Sequence, residues 1–135
     1  VRRVERILET SLYVDDLAVA RQFYTQVLGL EIYAEQPGRH LFFRVGNQML
    51  LLFDPKESNQ PVGTFPSHGT QGAGHVCFAV RDEAELDEWQ AQLESQGVTI
   101  ERIHVWPGGA RSLYFRDPAG NSLEFTTPGI WGIEQ

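Results

Sequence analysis

The sequence predicts an α+β fold made of two βαβββ modules in tandem. Two observations carry this. The first is a repeat. ETSLYVDDL (9–17) aligns with HVCFAVRDE (75–83) at an offset of 66 residues, setting Glu9 on His75, Val14 on Val80 and Asp16 on Asp82. RHLFFRVGNQMLLLF (39–53) aligns with RSLYFRDPAGNSLEF (111–125), setting Arg39 on Arg111, Phe43 on Phe115, Arg44 on Arg116 and Gly46-Asn47 on Gly120-Asn121. The second observation is that both halves run through the same order of hydrophobic periods, one strand, one helix and three strands.

The elements follow in order. Strands at 7–14 and 75–80 open the two halves. Asp16 and Asp82 then offer N-cap oxygens. The first helix, about 17–28, repeats apolar residues at Ala20, Phe23, Tyr24, Val27 and Leu28. The second, about 83–96, repeats them at Leu86, Trp89 and Leu93, with Glu85 placed for a capping box on Asp82. Gly29 and Gly97 are set to end the helices. Strands at about 30–35, 39–45 and 48–54 complete the first half, and 98–104, 111–116 and 121–126 the second. Turn residues separate them at Pro37-Gly38, Gly46-Asn47 and Asp117-Pro118-Ala119-Gly120. The length suits a single domain, 1–135, with module one at 7–54, a linker at 55–73, module two at 74–128 and a tail at 129–135. The linker is rich in Pro, Gly and Ser. A connection that long is usually functional or mobile.

Strand alternation sorts the side chains. Leu8, Thr10, Leu12 and Val14 share one face of the first strand, and Ile7, Glu9, Ser11 and Tyr13 the other. In 75–80, Val76, Phe78 and Val80 oppose His75, Cys77 and Ala79. If Phe115 pairs with Leu123, Tyr114 pairs with Glu124 and Ser112 points the same way. The corresponding polar face of the first module takes His40, Phe42, Arg44, Gln48, Leu50 and Leu52. Leu50 then stands where the second module has Glu124, and a one-residue slip would select Leu51. Each sheet thus has an apolar face for its helix and a second face carrying Glu9, His75 or Glu124. Carboxylates on a mostly apolar face are costly unless paired. Two carboxylates and an imidazole together suggest a divalent cation. Glu9 could instead pair with Arg111 or Arg39.

Composition narrows the partners. A net charge of -7 argues against nucleic acid or an anionic membrane. No apolar run reaches the length of a membrane span. The start, VRRVERIL, has no export-signal pattern, and Cys77 alone cannot form an internal disulfide. The expected setting is cytoplasmic.

SLYVDDLAVARQFYTQVLGL (11–30), GHVCFAV (74–80) and SLYFRDPAGNSLEF (112–125) resemble the vicinal oxygen chelate superfamily. That group includes glyoxalase I, extradiol dioxygenases, methylmalonyl-CoA epimerase, and fosfomycin- and bleomycin-resistance proteins. The resemblance covers about 7–128. It implies a cupped mixed sheet with the helices on its convex side and a metal in the cup. Carried over, the metal positions are Glu9, Leu50 or Leu51, His75 and Glu124. His75 and Glu124 match directly. Glu9 stands where histidine or glutamine is more usual, and leucine removes the fourth ligand of the glyoxalase-I pattern. The implied set is Glu9, His75 and Glu124 around Mn²⁺, Fe²⁺, Ni²⁺ or Mg²⁺, with Zn²⁺ also admitted. The resemblance further implies a small-molecule substrate and a homodimer in which Glu9 meets His75 of a second chain. Ser112 and Tyr114 fall where fosfomycin enzymes place substrate contacts, and Arg111, Phe42 and Leu50 are further candidates for substrate binding. His40 and Tyr114 are candidates for proton transfer. The reaction expected is that of a glyoxalase-type lyase or isomerase, or of a ring-cleaving dioxygenase. The alternative is a drug- or aromatic-binding protein without chemistry.

Overall fold

The computed structural model describes residues 1–61, 63 and 65–134. The chain divides into two compact units, Val1–Gly72 and Ala73–Gln135. Each holds one four-stranded mixed sheet, and the fold is the α+β arrangement expected.

In the first unit, β1 (Glu9–Tyr13) leads into α1 (Leu17–Gln22), then β2 (Glu31–Gln36), β3 (His40–Val45) and β4 (Gln48–Phe53). The sheet order is β1-β4-β3-β2. β1 runs parallel to β4 because α1 carries the chain across, and hairpins make the other pairs antiparallel. Asp16 caps α1, its Oδ1 accepting from the Val19 amide at 3.1 Å. The predicted helix 17–28 is not uniform. After Gln22 it widens into a π-helical turn over Phe23–Val27, where the Leu28 amide reaches back to the Phe23 carbonyl. Tyr24, Val27 and Leu28 are thereby buried together, and Tyr24 stacks on Phe43 at 5.6 Å between centroids. Gly29 leaves the helix at φ +68, a conformation side-chain-bearing residues avoid. A short helix, α2 (Pro55–Ser58), capped by Asp54, lies within the stretch read as linker.

The second unit repeats the plan with β5 (His75–Ala79), α3 (Glu83–Ser95), β6 (Arg102–Val105), β7 (Arg111–Arg116) and β8 (Ser122–Thr126), ordered β5-β8-β7-β6. Asp82 caps α3 through the Glu85 amide at 2.8 Å. Glu85 reaches back to the Arg81 amide, one residue before the cap, so the box is offset from the expected one. Leu86, Leu93, Leu113, Phe115 and Leu123 are buried beneath the helix, and Trp89 stacks on Phe125 at 4.5 Å. β6 is shorter than predicted. Residues 98–101 stay outside the ladder until the Glu101 amide joins the Tyr114 carbonyl at 2.8 Å. In the predicted tail, Pro128–Trp131 form a turn of 3-10 helix, and Trp131 is exposed.

The two long hairpins differ in turn length, which corrects one register. β7 and β8 pair Phe115 with Leu123 and Tyr114 with Glu124, as predicted. β3 and β4 pair Phe43 with Leu50 and Leu41 with Leu52, so Leu50 and Leu52 lie on the helix-facing side with the core. Phe42 pairs with Leu51 and His40 with Phe53 on the opposite face. The Gly46-Asn47 turn holds two residues between its paired ends, whereas Asp117–Asn121 lie between Arg116 and Ser122. Aligning the two Gly-Asn pairs therefore shifts the first strand by one residue. Leu51, not Leu50, is the counterpart of Glu124.

Candidate functional site

The Asp117–Asn121 turn builds the second unit's open face, the side opposite α3. Asp117 Oδ1 accepts from the Ala119 amide at 3.0 Å and the Asn121 amide at 2.8 Å, and Asp117 Oδ2 accepts from Asn121 Nδ2 at 2.9 Å. Asn121 Oδ1 in turn accepts from the Gly74 amide at 2.7 Å. Asp117 and Asn121 are both buried, so this turn is held by its own side chains. Arg116 braces its far end, donating to the Gly120 carbonyl at 3.0 Å. The result fixes Gly74 and the start of β5 against β8, with His75 beside Ser122.

His75 and Glu124 are brought together. His75 Nδ1 lies 3.0 Å from the Ser122 carbonyl oxygen. A carbonyl only accepts, so Nδ1 carries a hydrogen, which leaves Nε2 to hold either a lone pair or a second proton. That nitrogen faces Glu124 Oε1 at 3.3 Å. Two acceptors this close repel unless a positive centre, a proton on Nε2 or a cation, lies with them. Imidazole nitrogen and carboxylate oxygen are both donors to divalent cations. A backbone carbonyl fixing the second ring nitrogen is the usual support for a ligating histidine. The pair therefore fits a metal by the chemistry of its donors.

Glu124 is only 6% exposed, and three side chains surround its carboxylate. Besides His75, Tyr114 stands opposite it across β7 and β8, and Cys77 across β5 and β8. Burial and the Glu124 charge raise the Tyr114 pKa above that of a free phenol. The Cys77 thiol is exposed to solvent, yet the protein around it and the Glu124 carboxylate push its pKa up to about 12. Cys77 is thus protonated at neutral pH, its Sγ 3.7 Å from the Phe78 carbonyl oxygen.

Other candidates land elsewhere. Glu9 opens β1 in the first unit, exposed and paired in register with Met49. Among the described residues, no three His, Cys, Asp or Glu side chains stand in a geometry that could hold a metal. Arg111 shares the helix-facing side of β7 with Leu113 and Phe115. Its Nε lies 3.1 Å from Glu83 Oε1 and its Nη2 2.8 Å from Asp87 Oδ1, so it clamps β7 to the first turns of α3. Ser112 is fully buried, and its hydroxyl accepts from Trp106 Nε1 at 2.8 Å. Leu50 is in the core.

The first unit's open face is aromatic. His40 stacks on Phe42 at 4.1 Å and meets the Phe53 edge at 6.0 Å. Arg39 Nη1 lies 3.0 Å from His40 Nδ1, and a guanidinium only donates, so Nδ1 accepts and Nε2 carries the hydrogen. Burial first, and the Arg39 charge second, lower the His40 pKa. His68 lies in the long connection and reads as a solvated loop residue in the sequence. It packs edge-on to Phe53 at 4.6 Å, and its Nδ1 is 2.7 Å from the Tyr13 hydroxyl. No periodic signal marks that loop, so alternation could not have found it.

Comparison with known proteins agrees with this architecture. Residues 6–125 match the Glyoxalase/Bleomycin resistance protein/Dioxygenase superfamily. The chain is 30% identical over 129 residues to biphenyl-2,3-diol 1,2-dioxygenase 3 of Rhodococcus globerulus, covering 91% of this chain and 66% of that protein. It is 26% identical over 113 residues to catechol-2,3-dioxygenase of Bacillus subtilis, covering 84% and 38%. It therefore spans just under two thirds of the first relative and well under half of the second. The crystal structure of lactoylglutathione lyase from Agrobacterium tumefaciens superimposes with a TM-score of 0.94 at 46% identity, covering 98% of this chain and 100% of that one. Tandem βαβββ units, the paired histidine and glutamate, and a match along nearly the whole sequence lead to one conclusion: this chain belongs to the Glyoxalase/Bleomycin resistance protein/Dioxygenase superfamily.

Proposed function

We propose that the protein is a metal-dependent enzyme acting on a small substrate that presents two neighbouring oxygens, in the manner of a glyoxalase-type lyase or isomerase. The observation that carries this is the pairing of His75 Nε2 with the buried Glu124 Oε1 at 3.3 Å, with Nδ1 held by the Ser122 carbonyl. His75 and Glu124 hold the cation, and Glu9 from a second copy of the chain supplies the third donor. When bound, the cation supplies Lewis acidity that stabilises negative charge developing on a substrate oxygen. The chain's own groups do the rest. The Ser122 carbonyl orients the His75 ring, and Tyr114 stands opposite Glu124 on the neighbouring strand. Leu51 and Phe42 line the first unit's open face against an apolar part of the substrate, Leu51 taking the position first given to Leu50. His40 offers its Nε2 hydrogen as a donor there. His40 is a poor base, because Arg39 covers its basic nitrogen.

The lyase branch rests on 46% identity to the Agrobacterium lyase over nearly the full length of both chains. The dioxygenase relatives are longer proteins. Turnover of the hemithioacetal of methylglyoxal and glutathione by Mn²⁺-, Fe²⁺-, Ni²⁺-, Mg²⁺- or Zn²⁺-loaded protein tests this branch. Oxygen uptake with catechol and Fe²⁺ would instead place the chain with the dioxygenases. A second reading draws on Leu51, Phe42 and Phe53, which make the first unit's open face largely apolar and aromatic. In it the protein binds an aromatic molecule without chemistry, and binding is stoichiometric and indifferent to chelators. Sedimentation reporting a dimer supports the placement of Glu9, and a strict monomer removes it. Among the described residues, no helix is long and apolar enough to cross a membrane.

A further inference from the structure

Arg39 and Arg111 hold the same place in the two halves of the repeat, yet their guanidinium groups meet different surroundings. Arg111 reaches α3, where Glu83 and Asp87 face its charge at 3.1 and 2.8 Å. At the same offset of 66 residues, α1 has Leu17 in place of Glu83 and Arg21 in place of Asp87. One carboxylate position is apolar and the other is positive, so α1 offers no counter-charge there. Arg39 lies instead by Phe53, its Cζ 5.9 Å from the ring centroid, and donates to His40 Nδ1 at 3.0 Å. Among the described residues it makes no ion pair, whereas Arg21, Arg81, Arg111 and Arg116 each face a carboxylate. The Asp54 amide donates to the Arg39 carbonyl, but the Asp54 side chain caps α2, accepting from the Lys56 amide at 2.9 Å. A fully exposed arginine satisfies its charge with water. Arg39 is half-buried, and His40 takes one of its five N–H groups.

The groups around this cation are flat. His40 and Phe42 stack with only 7° between their planes. Phe53 is 6% exposed, with the Phe42 ring against it at 5.6 Å. His68 adds a further ring from the long connection, edge-on to Phe53 at 4.6 Å and 2.7 Å from the Tyr13 hydroxyl. Its backbone is fixed as well. The His68 amide donates to the Ser58 carbonyl at 2.9 Å, at the end of α2. A Cβ at the next residue, Gly69, would stand 3.1 Å from both the Pro55 carbonyl oxygen and Asn59 Cβ. The chain thus runs against α2 where only glycine fits comfortably, and this sets where His68 stands.

We propose that the first unit's open face binds a small aryl carboxylate, its anionic group on Arg39 and its ring against Phe42, His40 and His68. The planar guanidinium fork matches a planar carboxylate, and the imidazole and phenyl rings match an aryl body. A chain of net charge -7 disfavours anions in general, so a site for one needs a local cation without an internal partner. A neutral aromatic would leave that charge without a counter-ion, and a cationic one would be repelled by it. The proposal names the substrate class of the proposed function and rests on the reading that this face receives the small molecule. It does not depend on a cation at His75 and Glu124.

The test uses the full chain, stripped of metal, with 1-naphthoate and 1-naphthamide as probes of similar shape and different charge. Calorimetry at neutral pH reads their affinities. The wild type should bind naphthoate about tenfold or more tighter than naphthamide. Arg39→Met should abolish this preference, Arg39→Lys should keep part of it, and Arg111→Met should keep it whole. His68→Ala should weaken both probes alike, because it removes a ring and not the charge. Equal affinity for the two probes, no binding of naphthoate, or a preference that survives Arg39→Met would overturn the proposal. A preference that appears only after Mn²⁺ is added, and is lost in Glu124→Gln, would overturn it while supporting the metal site. A preference shown by protein that takes up no divalent cation would uphold it while removing the metal site. If Arg39→Met fails to fold, the Arg39 side-chain ¹H–¹⁵N resonance of the wild type decides. It should shift with naphthoate and not with naphthamide, and a resonance indifferent to both would overturn the proposal.

Discussion

His75 Nε2 and Glu124 Oε1, on adjacent parallel strands, face each other at 3.3 Å with the opposite ring nitrogen already engaged by the Ser122 carbonyl. Parallel pairing sets Cys77 directly beside Glu124 and His75 beside Ser122, so the imidazole leans along the strand to reach the carboxylate. Much of the behaviour of the second unit's open face follows from the charge at Glu124.

Cys77 reports that charge. Its thiol is exposed, but its pKa is pushed up to about 12 by burial of the surrounding groups and by Glu124. Only the thiolate attacks an alkylating agent. Iodoacetamide should therefore label Cys77 far more slowly at pH 8 than it labels a free cysteine, with the rate still rising at pH 10. Glu124→Gln should accelerate labelling at pH 8. A rate that levels off below pH 9 would contradict the environment described.

His40 should titrate below an ordinary histidine, because burial and Arg39 both disfavour its charged form. The stability consequence has a definite sign. As pH falls through about 6.5 the unfolded chain binds this proton first, so His40 makes the protein less stable toward acid. His40→Asn should flatten the melting temperature between pH 7 and pH 5 relative to wild type. Proton NMR of the imidazole checks the midpoint directly, and a midpoint above about 6.5 would be inconsistent.

Leu50 and Leu51 should separate cleanly. Leu50 is 2% exposed and pairs with Phe43, so Leu50→Ala should destabilise the fold by about 2–5 kcal/mol in chemical denaturation. Leu51 points to the other face with Phe42. Leu51→Ala should alter the affinity for an apolar ligand, which Leu50→Ala, measured where it remains folded, should leave unchanged.

Arg111 is expected to behave as a structural clamp. Arg111→Met should lower stability by about 1 kcal/mol, with the loss shrinking at high salt, since Glu83 and Asp87 are both partly exposed. Its KM for substrate should match the wild type. A large KM effect without loss of stability would return Arg111 to the binding surface.

These contrasts show where the sequence was readable. Leu113 and Phe115 alternate with Ser112 and Tyr114, and Leu123 and Phe125 with Ser122 and Glu124, so the register of the second hairpin follows from polarity alone. The first hairpin offers MLLLF (49–53), in which Leu50, Leu51, Leu52 and Phe53 are all buried. A run that is apolar on both faces carries no parity, and the repeated Gly-Asn pair then misplaced it by one residue. Burial hid other roles. Ser112 reads as an ordinary strand hydroxyl until Trp106, from a loop with no period, is seen to cover it. His68 is likewise placed by a loop whose path alternation does not encode. His75 and Glu124 were legible because each sits on the polar side of a strand with clear alternation.

The most direct test of the account is Mn²⁺ binding by calorimetry to untagged, chelator-stripped protein, comparing the wild type with His75→Gln and Glu124→Gln. The account expects saturable binding by the wild type and a loss of at least about tenfold in affinity in each variant, with folding retained by circular dichroism. Wild-type protein that takes up no divalent cation, or variants that bind it as tightly as the wild type, would contradict it.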